Sequence, residues 1–146
     1  FVIDVSKESI KSQSFMFMMS LLKDMIEKEL IPGGSRTMIG IITFDSAVHF
    51  YNTNPKLKQP QMICVTDFEN IVLPLAEELL MNLSDSKLAI LNLLETIERI
   101  FQNTENIGSA MYPAIIASAK SFKHLGGRML VFQHSESLIL EVNKLD

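Results

Sequence analysis

Cysteine is almost missing from this 146-residue chain: Cys64 stands alone, so no disulfide can close within it, which fits a reducing, intracellular setting. Its place in the apolar run Met62-Ile63-Cys64-Val65 reads as a small buried hydrophobe rather than a reactive thiol. Positive charge is short as well. Lys and Arg number 13 against 17 Asp and Glu, a net charge of -4, and no cationic cluster is interleaved with aromatics, which argues against a nucleic-acid partner. No apolar run approaches the roughly 20 residues needed to cross a bilayer, and no signal peptide is read ahead of the first strand. Catalytic punctuation is missing too. The sequence has no Gly-x-Ser-x-Gly elbow and no Gly-rich phosphate loop.

What is present is an ordinary globular composition, 47% hydrophobic and 21% charged, enough for one domain with its own core or for a piece of a larger one. The chain opens on a strand without Met and reads as an excised piece. Its strongest signal is Arg36 to Asn52. An apolar, β-branched run from Met38 to Phe44 joins a second run, Ala47 to Tyr51, through Asp45-Ser46, which predicts a β-hairpin with a two-residue turn. The first arm does not alternate and suits a strand covered on both faces. The second does, with Val48 and Phe50 on one face and His49 and Tyr51 on another that is expected to be wetter.

Phe1 to Val5 predicts a buried strand carrying Asp4 near its end, and Lys7 to Ser14 reads as a polar stretch. Phe15, Met18, Met19, Leu22, Met25, Ile26 and Leu30 then repeat at helical spacing, up to a stop at Pro32-Gly33-Gly34. After a polar loop from Thr53 to Pro60, Gln61 to Val65 is a short strand, placed at an edge because a proline introduces it. Asp67 to Ser86 reads as irregular. Ser84 or Ser86 caps a helix with Leu88, Leu91, Leu94, Ile97 and Phe101 on one face. A slim helix from about Ser109 to His124 carries Ala110, Ala114, Ala117 and Ala119 and tolerates Pro113 in its first turn. Gly126-Gly127 ends it, Arg128 to Phe132 predicts a buried strand, and Ser137 to Val142 a weaker one.

This order of elements predicts an α/β sandwich, helices on both faces of a mostly parallel sheet with an antiparallel edge hairpin. Functional crevices in such sheets lie at the C-terminal strand ends, here Asp4-Val5-Ser6, Phe44-Asp45-Ser46 and Gln133-His134-Ser135. Of the three histidines only His134 falls there; His49 reads as a solvated strand residue and His124 as a match for a helix C-terminal dipole. No catalytic residue is assigned. Asp4-x-Ser6, with Thr104 ahead of Gly108-Ser109-Ala110-Met111, is the layout of a von Willebrand factor A domain, whose Asp-x-Ser-x-Ser, loop Thr and later Asp hold Mg²⁺ through hard oxygen ligands. Glu8 stands where the second Ser belongs, and Gln133-His134 follow the later strand instead of a carboxylate. The site is therefore degenerate at Asp4, Ser6, Glu8 and Thr104, and no metal is expected. A divalent-cation A-type domain that binds a protein ligand stays as the alternative.

Within that layout, Phe-Val-Ile-Asp-Val-Ser at 1–6, Ser-Arg-Thr-Met-Ile-Gly-Ile-Ile-Thr-Phe-Asp-Ser at 35–46, Val-His-Phe-Tyr-Asn at 48–52, Gln-Pro-Gln-Met at 59–62, Phe-Gln-Asn-Thr at 101–104 and Gly-Gly-Arg-Met-Leu-Val-Phe-Gln at 126–133 resemble the trunk domain of the cargo-binding subunit of the COPII vesicle coat. The resemblance runs to about Gln133, and 135–146 is an unassigned tail of a trunk domain expected to be incomplete. A sheet that stops after its central strands is expected to expose apolar surface.

The resemblance implies a non-enzymatic coat protein that pairs with a related COPII subunit, which contacts the coat-recruiting small GTPase; the outer coat is a further indirect partner. It implies a peripheral, cytoplasmic place on membranes at endoplasmic-reticulum exit sites, where the subunit reads cargo tails through residues the sequence does not identify. It also implies zinc elsewhere in the full-length chain. These residues contain no Cys-x₂-Cys pair, and no cofactor is expected in them. The partner surface is expected near Gln59, Pro60, Gln61 and Met62, a proline-bracketed segment leading into an edge strand.

Overall fold

The computed structural model describes residues 1–54, 57–69, 73–74 and 76–135. The apolar opening forms β1 (Val2–Asp4), from which the chain turns into α1 (Lys7–Lys11) and α2 (Gln13–Glu27). The run from Met38 to Phe44 is two strands, β2 (Met38–Gly40) and β3 (Ile42–Phe44), followed by β4 (Val48–Asn52) and β5 (Gln61–Val65). Then come α3 (Ala76–Leu79), β6 (Leu80–Asn82), α4 (Lys87–Phe101), α5 (Met111–Phe122) and β7 (Val131–Phe132). No helix among the described residues is long and apolar enough to cross a membrane.

Five strands form the main sheet in the order β5-β4-β3-β1-β7, and β2 and β6 form a small second sheet. β1 pairs in parallel with β3 and β7, whereas β3 with β4 and β4 with β5 are antiparallel. Within the main sheet the described pairings are thus evenly divided, two parallel and two antiparallel, rather than mostly parallel. The hairpin closes on the Phe44–Val48 pair, so its loop is the three residues Asp45 to Ala47, not two. In it the Asp45 Oδ1 accepts the Ala47 N–H at 2.9 Å, a side-chain mimic of a backbone turn.

Both faces of the sheet are covered. Ile3, Ile41 and Tyr51 pack on one side with Phe15, Met19, Leu22 and Ile26 of α2 and Ile90, Leu93, Leu94, Ile97 and Phe101 of α4. Val2, Ile42, Phe44, Val48 and Phe50 pack on the other against Ala114 and Ala117 of α5 and Ala110 at its N-cap. Double cover explains why β3 reads as a continuous apolar run. The alanine face lets α5 approach the sheet closely, although Ala119 points outward.

Several expectations give way to tertiary context. Lys7 to Lys11 is a helix, ended by Ser12, whose hydroxyl accepts the Phe15 N–H at 3.0 Å and starts α2. α2 ends at Glu27, short of Leu30, which is exposed. Asp67 to Ser86 is not all irregular, because Leu80 to Asn82 pairs antiparallel with Met38 to Gly40. Three residues carry too little pattern to announce a strand. α4 turns Ile90 and Leu93 inward and leaves Leu88 76% exposed. β7 is not buried: it pairs only with β1 among the described strands, and Met129, Leu130 and Val131 are exposed. The weaker strand expected from Ser137 to Val142 lies outside the described residues.

Candidate functional site

Asp4, at the end of β1, is 1% exposed. Its Oδ1 accepts the Ser6 N–H at 2.9 Å, and its Oδ2 accepts the His134 N–H at 3.1 Å, the Ser135 N–H at 2.8 Å and the Ser135 hydroxyl at 2.6 Å. Burial pushes the carboxyl up, but the Ser135 hydroxyl and amide and the Ser6 amide outweigh it and hold the acid below its ordinary value. Asp4 is an anion stapled to the strand end after β7. With its hydroxyl and amide hydrogens Ser135 fills lone pairs of Asp4 Oδ2 that a cation would otherwise use.

The neighbouring loop is laced to the same corner. Asn106 accepts the Lys7 N–H on its carbonyl at 2.7 Å, donates Nδ2 to the Ser46 hydroxyl at 2.7 Å, and accepts the Gly108 N–H on Oδ1 at 2.9 Å. Thr104 offers its hydroxyl oxygen to the Asn106 N–H at 3.2 Å. Gly108 passes so close to the hairpin loop that a Cβ there would lie 2.7 Å from the Ser46 Cβ, and only glycine fits. Glu8 is exposed on the first turn of α1. Asp4 Oδ2 is filled by three donors, Asp4 Oδ1 and the Thr104 hydroxyl each accept one N–H, Glu8 faces solvent, and the buried Ser6 hydroxyl has no hydrogen-bond partner among the described residues. A divalent cation needs several oxygen lone pairs free to converge on one point, and Asp4 Oδ2 has none left. Among the described residues, no three of His, Cys, Asp and Glu gather as a metal-binding group.

A second polar cluster lies beneath the hairpin. His49 and Tyr51, expected on a wet face, are 4% and 2% exposed because α4 lays Phe101 over the His49 ring, with centroids 5.1 Å apart. The Thr43 hydroxyl lies 3.0 Å from His49 Nδ1 and 2.7 Å from the Tyr51 hydroxyl, and His49 Nε2 is 3.5 Å from Asp45 Oδ1. The tautomer is assigned from this network: Tyr51 donates to Thr43, Thr43 donates to Nδ1, and Nε2 carries the proton toward the Asp45 carboxylate. Alternation in the sequence marked the face; only packing could show that it was covered. Cys64, on β5 opposite His49, is exposed and not buried. Partial burial and the Asp45 charge hold its thiol above the ordinary value, away from the thiolate.

Burial lowers the His49 pKa from its ordinary 6.5, against the opposite pull of Asp45. The unfolded chain then takes up a proton more readily than the folded one, so the contribution of neutral His49 is complete above about pH 6.5 and fades below it. Between pH 7.0 and 5.5 the wild type is expected to lose stability at up to about 1.4 kcal/mol per pH unit relative to His49→Gln. Urea unfolding of both proteins at the two pH values checks this, and parallel losses would remove His49 from the explanation.

Gln59, Pro60, Gln61 and Met62 are all exposed, where the chain enters the edge strand β5. The structure keeps them apart from the Asp4 corner. Gln61 pairs with Asn52 and Met62 with Tyr51, leaving the other edge of β5 without a neighbouring strand among the described residues.

Fold and corner together define a mixed α/β domain built on a central sheet whose strand ends are laced to one another by hydrogen bonds. The Sec23/Sec24 trunk domain matches residues 1–145, and the chain belongs to that family. It is 41% identical over 134 residues to protein transport protein Sec24A of Homo sapiens, covering 91% of this chain and 12% of that protein. To SEC24 A of Arabidopsis thaliana it is 40% identical over 135 residues, 92% of this chain and 13% of that one. The crystal structure of the human COPII-coat protein Sec24c shares the fold with a TM-score of 0.69 and 30% identity, over 85% of this chain and 17% of that chain. The chain thus spans about an eighth of the length of the curated relatives it matches.

Proposed function

We propose that this chain is a non-enzymatic coat-protein domain, part of the inner COPII coat that selects cargo for transport from the endoplasmic reticulum to the Golgi. The supporting observation is the 41% identity to a Sec24A protein over 91% of the chain. On this reading the domain is a von Willebrand factor A-like three-layer sandwich that heterodimerises with the related coat subunit. Through that subunit it meets the recruiting GTPase and the outer coat, and it lies on the cytoplasmic side of exit-site membranes while the parent protein reads cargo tails. Zinc belongs to parts of the parent outside these residues.

The partner surface we assign to the segment Gln59 to Met62 and the open edge of β5. The stretch from Gln61 to Val65 carries no charge, and Met62 is exposed, whereas a sheet edge facing only water is ordinarily guarded by charged side chains. Backbone groups on such an edge can pair with an added strand. Gln61→Lys combined with Met62→Glu in the full-length chain is expected to weaken the heterodimer at least about tenfold, the effect of some 1.4 kcal/mol, with the circular dichroism spectrum unchanged. A heterodimer still recovered intact in pull-downs would end the assignment of this edge.

The alternative, protein-ligand binding through a divalent cation, is separated by calorimetry. Titration with Mg²⁺ or Mn²⁺ is expected to give no saturable heat below millimolar concentration, because the Asp4 oxygens are already engaged by four donors. Saturable sub-millimolar binding would favour the cation-dependent reading.

A further inference from the structure

We draw no further inference here: the strongest candidate, the apolar cleft of about 800 Å³ between the end of α5, β2 and the start of β1, with Arg36, Lys123 and Arg128 among its lining residues, has nothing in the structure to show what covers it.

Discussion

Asp4→Ala is expected to lower the folding free energy by about 3–5 kcal/mol, the range for removing one partner of a buried charged network. Four donors lose their acceptor at once: the Ser6, His134 and Ser135 amides and the Ser135 hydroxyl. Against a total stability of about 5–15 kcal/mol this is a large fraction. Asp4→Asn keeps one acceptor oxygen but turns an NH₂ toward N–H donors on the other side, so its loss is expected to be smaller but still above about 1 kcal/mol. Guanidinium unfolding gives both values, and amide exchange at His134 and Ser135 is expected to accelerate more than at Ile3 in the strand centre. A loss below about 1 kcal/mol for the alanine variant would mean that the staple is not a fixed part of the fold. Because the folded carboxyl lies below its ordinary 3.8, this stabilisation is complete above that pH and is lost as the pH falls through the folded value.

Thr43→Val, a swap of nearly equal shape, is expected to cost about 2–4 kcal/mol. It strips the partner from two buried groups, His49 Nδ1 and the Tyr51 hydroxyl, at about 1–3 kcal/mol each. Burial holds the Tyr51 phenol well above its ordinary pKa, so it remains a neutral hydroxyl that needs a partner. Adding Tyr51→Phe in the Thr43→Val background removes one orphan and is expected to recover about 1–2 kcal/mol, whereas the same change in the wild type destabilises. The opposite sign of one substitution in the two backgrounds is the signature of a coupled network. Additive losses would show that the two hydroxyls act independently.

The pattern at Asp4 was legible because an acid in an apolar run at a strand end stands out, and so was the departure from a metal motif at Glu8 and Gln133. What takes the lone pairs in place of a cation was not. Ser135 lies 131 residues away, and no local rule links the two. His49 and Tyr51 misled for a similar reason. Period-two alternation separates two faces of a strand, but a polar residue on one face says nothing about whether a distant helix, here the end of α4 with Phe101, will be laid over it. Cys64 erred in the other direction, as an apolar neighbourhood in sequence did not bring a cover in space.

The sequence by itself determined the elements with strong period or punctuation: β1, the hairpin, α2, α4, α5 with its alanine face, and the edge position of β5. Each follows from residues a few positions apart, within reach of helical or strand periodicity and of capping and breaking residues. The short strand words also carried the resemblance to the trunk family. Only the tertiary structure decided that β6 exists, that β7 pairs with β1 alone among the described strands, that Asp4 closes on Ser135, and that the Thr43, His49 and Tyr51 cluster is dry. Each of these depends on which distant segment comes to lie against a given face or edge. Burial and hydrogen-bond satisfaction are set by that neighbour and not by the residue alone.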